Sequence, residues 1–124
     1  MVVVTSRSSY ELVRGSPAEL RRAVRGLRDQ LAEHIVEAEG PDGLYARLAA
    51  DAPRLTGPVA VLVADHEELL ARADALTRRL DHPAGDVVAA RRDASEFVDA
   101  LSRHRQRGAD LVYEAYQTDL GGET

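Results

Sequence analysis

Cysteine is absent from this 124-residue chain, and with it go disulfides, thiolate metal sites and thiol redox chemistry. Lysine is absent too. All 16 basic residues are arginine, which we read as a mark of G+C-rich codon usage rather than of chemistry. Acidic residues number 21 and the net charge is −5, so nothing in the overall field attracts a nucleic-acid backbone. Aromatic residues make up only 4%, which leaves the packing to aliphatic and small side chains. No apolar run approaches the ~20 residues that a membrane-spanning helix needs. Val2-Val3-Val4 is too short for the apolar core of a signal peptide. We therefore expect a soluble, cytoplasmic protein whose partners include neither nucleic acid nor membrane.

What remains is 44% hydrophobic and 30% charged, the balance of a globular chain, and the length suits one domain with a modest core. Its hydrophobic residues fall into three long patterns with alternating three- and four-residue spacing. The first runs Leu20, Val24, Leu27, Leu31, His34, Ala38. The second runs Val59, Leu62, His66, Leu69, Ala73, Leu76, Leu80. The third runs Ala90, Ala94, Phe97, Leu101, His104, Gly108, Leu111, Ala115. This spacing keeps each set on one face of an α-helix. One histidine lies near the middle of every seam. If the three faces meet, three imidazoles point into one bundle interior, which is how helical bundles build metal sites.

The punctuation agrees with the periodicity. Ser16-Pro17-Ala18-Glu19 is a helix start, with a serine N-cap, proline in the first turn and a glutamate placed for a capping box. The first helix is expected over 17–39, ended by Gly40-Pro41-Asp42-Gly43. Leu44 to Leu48 reads as a further turn or two, stopped at Asp51-Ala52-Pro53. The second long helix is expected over 58–80, and the third over 86–118 with Gly108 in its interior. Asp81 to Gly85 reads as a loop, with His82 solvated in it. Residues 1–15 read as an N-terminal arm, and 16–122 as the helical domain. Short connections make neighbouring helices antiparallel, so the fold class is all-α, an antiparallel helical bundle.

Neutral imidazole is the commonest protein metal ligand and suits iron, zinc, copper and nickel. Three histidines without cysteine fit a zinc site completed by water, or a non-haem iron site completed by carboxylates. The acids near the seams are Glu37 and Glu39 after His34, and Asp65, Glu67 and Glu68 around His66. Glu37 is three residues beyond His34 and can share its side of the helix. Glu39 can do so only where the helix unwinds near Gly40. Adjacent helical residues point about 100° apart, so Asp65 is expected in an outer-shell or solvent role. Tyr45, Tyr113 and Tyr116 are expected to be partly buried packing residues, with redox or hydrogen-bonding roles as the alternative. There is no visible nucleophile–base pair or phosphate-binding glycine loop, so an enzyme is not the expectation; any catalysis would belong to a metal.

Several of these stretches resemble one family. Leu31-Ala32-Glu33-His34, then Glu37-Ala38-Glu39, then Gly43-Leu44-Tyr45 and Leu48, are similar to the second helix of hemerythrin-like domains, the His-His-Glu cation-binding family. Asp65-His66 with Leu69 resembles its third helix, and Leu101-Ser102-Arg103-His104 followed by Leu111 to Tyr116 resembles its fourth. The resemblance implies an antiparallel four-helix bundle that binds non-haem iron, typically two ions, for oxygen carriage or sensing, or for handling iron, nitric oxide or peroxide. It carries His34, His66 and His104 over as ligands, with Glu37 and Glu39 the nearest acids. The family's carboxylate four residues after the second-helix histidine falls on Ala38, and its counterpart in the last helix falls on Gly108. Its first helix, with a histidine of its own, finds no match within 1–15, so the first helix is expected to be short or missing and the ligand set incomplete. The expected cofactor is iron, one ion or two, with zinc or no metal as the other possibilities. A face left open by the first helix would be covered by residues 1–15 or by a second copy, and favours a homodimer or a protein partner. A metal-free helical dimerisation or interaction module is the alternative function.

Overall fold

The computed structural model describes residues 16–82 and 86–122. The arm at 1–15 and the centre of the loop at 83–85 lie outside these. Four α-helices and one 3-10 turn account for nearly all described residues: α1 (Pro17–Glu39), α2 (Leu44–Asp51), the turn Pro53–Leu55, α3 (Thr56–Asp81) and α4 (Val87–Gly122). No strand occurs among the described residues, and no helix there is long and apolar enough to cross a membrane.

Local chemistry explains the boundaries. Ser16 Oγ accepts from the backbone N–H of Glu19 at 3.1 Å, and its hydroxyl donates to the Glu19 carboxylate at 3.2 Å. Glutamate thus reaches back to the cap hydroxyl, a variant of the expected box. Asp86 caps α4 by accepting from the N–H groups of Val88 and Ala89 at 3.0 and 3.1 Å. Helix α3 starts at Thr56, two residues before the expected Pro58. Proline is tolerated there because the first-turn N–H groups have no intrahelical acceptor. At the other end of α1, Gly40 turns the chain into extended backbone (φ −66°, ψ 165°). Gly43 then brings it back hard against α1: a Cβ at Gly43 would lie 2.2 Å from the carbonyl oxygen of Glu37 and 2.7 Å from that of Ala38. The turn therefore requires glycine for space, and this close approach seats α2 across the end of α1.

The apolar seams are the core. Every seam residue named above is buried except His34, Leu80 and Gly108, which are partly exposed. Helix α3 packs on both α1 and α4, while α1 and α4 touch each other little. Two apolar clusters result. One joins Leu20 to Leu31 of α1, Leu69 to Leu76 of α3 and Ala94 to Leu101 of α4 around Phe97. The other joins Ala38, Val59 and Leu62, Leu111 and Ala115 with α2 and the turn. Chain order reverses between clusters on α3 relative to its neighbours, so α3 runs antiparallel to both. Ion pairs follow the same register. Arg25 donates to Asp81 at 3.0 Å and Arg28 to Asp74 between α1 and α3; Arg79 pairs with Asp93 between α3 and α4. These are surface pairs that set alignment more than stability.

Candidate metal centre

His34, His66 and His104 lie at the boundary between the two clusters. On α1 His34 follows Leu31 and precedes Ala38; on α3 His66 follows Leu62 and precedes Leu69; on α4 His104 follows Leu101 and precedes Leu111. Because the helices alternate in direction, the three positions fall at one level of the bundle. The ring centroids are 5.1 Å apart for His34 and His66, 5.9 Å for His34 and His104, and 4.6 Å for His66 and His104. One ligand nitrogen from each lies within 4.8 Å of the others. Three donors bound to one metal at about 2.1 Å stand roughly 3.0–3.6 Å apart, so a group this close could hold one ion once the side chains move inward.

The neighbouring groups prepare the rings. His66 is 1% exposed, and its Nδ1 lies 2.7 Å from Glu39 Oε2. A carboxylate can only accept, so Nδ1 carries the proton and Nε2 presents its lone pair. The Tyr45 hydroxyl, 3.1 Å from Nε2, donates to it. His104 repeats the pattern from the other side. Its Nδ1 donates to Asp65 Oδ2 at 3.2 Å, and Arg107 donates to that same oxygen at 2.8 Å. Carboxylates behind ring N–H groups fix the tautomer and orientation of metal-binding histidines. Burial, then the charges of the neighbouring imidazoles, holds His34 below its ordinary pKa. Burial does the same for His104, against the pull of Asp65. Both effects favour the neutral, ligating form. The Tyr45 phenol is pushed up to about 12 by burial and by the charges of Glu39 and Asp65.

Three imidazoles are thus brought together, while the two expected acids take other places. Glu39 stands behind His66, reaching it because α1 ends at Gly40 and frees the last side chain to cross to α3. Glu37 is exposed, on the rim of a cavity of about 530 Å³ that opens between α1, α2 and α4. His34, Tyr45 and His104 line that cavity, and Gly108 leaves part of its wall bare, with nothing within 4 Å of where a Cβ would stand. Asp65 turns away from His66 and supports His104 on α4, as its 100° offset requires. His82 caps the end of α3 and is exposed, apart from the cluster. Of the three tyrosines expected to pack, Tyr113 is instead 68% exposed and Tyr116 donates to Asp51 on the surface. Tyr45 is buried as expected, but its hydroxyl belongs to the histidine cluster. Only the placement of α2, which no periodicity reveals, makes that visible.

A family model described as the hemerythrin HHE cation-binding domain matches residues 4–116. The chain belongs to the hemerythrin HHE family. The match begins within the segment we set apart as an arm at 1–15, so part of that segment is aligned with the family. No curated protein and no solved structure matches the chain significantly. As a hemerythrin HHE domain the protein is of a cation-binding type, and its three-histidine cluster is compatible with holding a cation. At the two positions where the resemblance would put carboxylates, this domain has the buried Ala38 and the half-buried Gly108.

Proposed function

We propose that this domain binds one non-haem metal ion, iron in preference to zinc, through His34, His66 and His104. The carrying observation is the convergence of three imidazoles from three helices within 4.8 Å, two of them backed by carboxylates. Bound iron would supply reversible oxygen or one-electron chemistry, which makes oxygen binding, redox sensing or iron sensing the function we assign. The residues around it have separable tasks. Glu39 and Asp65 orient His66 and His104 and offset part of the cation's charge, and Arg107 holds Asp65 in place. The cavity lined by Leu44, Gly108 and Val112 gives small molecules a path to His34 and His104. Glu37 on its rim is the acid best placed to draw cations toward the opening. A single ion, rather than a pair, follows from Ala38 and Gly108, which supply no bridging carboxylate.

Metal analysis of protein purified without an affinity tag and without added metal tests this. One equivalent of iron or zinc per chain is expected, lost on removal of His66. If no metal co-purifies and none stabilises the fold, the domain is a helical interaction module, and the sparse contact between α1 and α4 is then the place to look for a second copy or a protein partner.

A further inference from the structure

We propose that Tyr45 is the fourth donor to the metal, binding through its phenol oxygen beside His66. This rests on the metal-binding reading above and adds a ligand to it. Helix α2 contributes no histidine, yet Gly43 presses its first turn against the carbonyls of Glu37 and Ala38, and Tyr45 follows two residues later, 6% exposed. Its ring lies almost parallel to His66, at 18° with centroids 5.5 Å apart.

The phenol is bonded to a particular nitrogen. Glu39 occupies Nδ1 of His66, so Nε2 is the nitrogen left for a metal, and the Tyr45 Oη stands 3.1 Å from it. A cation taking that lone pair must either displace the phenol or bind it as well. The distance favours the second. Donors sharing one metal at about 2.0–2.1 Å stand roughly 3.0–3.4 Å apart along an octahedral or tetrahedral edge. The Oη–Nε2 pair already has that separation, so the cation replaces the shared proton without either ring moving far. The oxygen–hydrogen bond breaks, an oxygen–metal bond forms, and the proton passes to solvent. Charge points the same way. Three neutral imidazoles neutralise nothing, and Ala38 and Gly108 offer no anion, so a phenolate would be the site's one anionic donor.

The test is titration of the full chain with Fe(III), delivered as its nitrilotriacetate complex, for the wild type and Tyr45→Phe. Phenolate bound to Fe(III) absorbs in the visible through charge transfer and gives ring vibrations in resonance Raman spectra excited in that band. The wild type should show both at one iron per chain. Tyr45→Phe should still fold and bind iron through the histidines but lose both signals, and its Zn(II) affinity should fall roughly tenfold with one fewer proton released per zinc. Stoichiometric iron in the wild type without the band overturns the proposal and leaves the three-histidine site standing. A band that survives Tyr45→Phe overturns it in favour of another tyrosine, and tighter zinc binding by that variant overturns it in favour of a phenol that merely competes. If the wild type binds no metal at all, the metal reading fails and this proposal fails with it.

Discussion

Replacing His66 by alanine should leave a folded protein that no longer responds to metal. His66 is 1% exposed and both its nitrogens are bonded, Nδ1 at 2.7 Å to Glu39 and Nε2 at 3.1 Å to Tyr45. The substitution removes one hydrogen bond to a charged group, about 1.5–3 kcal/mol, and one between neutral groups, about 1 kcal/mol. Glu39 is partly exposed and can rehydrate, which keeps the total near 3–4 kcal/mol, within the ~5–15 kcal/mol stability of an ordinary domain. In the wild type, metal at about 100 times its Kd adds about 2.7 kcal/mol. For a chain of this length that is a rise of about 10 °C in Tm. Calorimetry with and without Zn(II) or Fe(II) should show this rise in the wild type and almost none in His66→Ala. Leu76→Ala separates lost ligation from lost stability. Leu76 is a buried residue of the cluster around Phe97, and its truncation should cost about 2–4 kcal/mol while preserving the metal-induced rise. An equal rise in the wild type and His66→Ala would refute the three-histidine site. Loss of the rise in Leu76→Ala as well would mean that metal merely reports global stability.

The metal-free fold should be most stable between two titrations. His34 and His104 are held below their ordinary 6.5, so the unfolded chain takes up protons first as pH falls through 6.5, and Tm should decline on that side until the folded groups protonate too. Tyr45, raised from 10.0 to about 12, ionises first in the unfolded chain, so Tm should also decline above pH 10. A Tm unchanged between pH 7.5 and 5 would contradict the acid half of this. The glycines should respond in opposite directions to alanine. Gly26 and Gly108 are helical with nothing within 4 Å of an added Cβ, so each substitution should stabilise by roughly 1 kcal/mol. Gly43→Ala meets backbone at 2.2 Å and should destabilise by about 1–3 kcal/mol; urea unfolding of the three variants gives the signs directly. Asp65→Asn keeps the shape behind His104 but removes the charge, and should weaken Zn(II) binding about 10–100-fold in competition titrations; unchanged affinity would remove Asp65 from the site.

The long helices were legible because their seams repeat for several turns, and a helix is the only element that puts Leu20, Val24, Leu27 and Leu31 on one side. Their ends were legible where a cap side chain marks them, at Ser16 and Asp86. Thr56 was missed because no cap chemistry distinguishes it from Pro58; the 3-10 turn before it sets the start. The three histidines could be located because periodicity reports which face a residue takes. It does not report where a flexible acid ends. Glu39 lies off the seam and reaches His66 only because the helix stops beside it, a tertiary circumstance. Tyr45 was harder still, since its position depends on Gly43 folding α2 back on α1, and a short helix after a turn carries no directional signal of its own. Tyr113 misled for the opposite reason: an aromatic on a helix invites burial, but it lies two residues past the Leu111 seam, on the face turned to water.

The layer of imidazoles has a consequence for how the protein opens. It interrupts the apolar interior, so the two clusters on either side share few greasy contacts and need not melt as one. The cluster of α2, the 3-10 turn and the C-terminal part of α4 is the smaller in aliphatic bulk and should form a cooperative unit of lower stability than the cluster around Phe97. Amide exchange in the metal-free protein should then be faster along 44–55 and 111–116 than along 20–31 and 69–76. A cation bound at the border would tie together three segments that lie far apart in the chain, and the two rates should converge. Occupancy of the centre would be read out as the merging of two unfolding units into one.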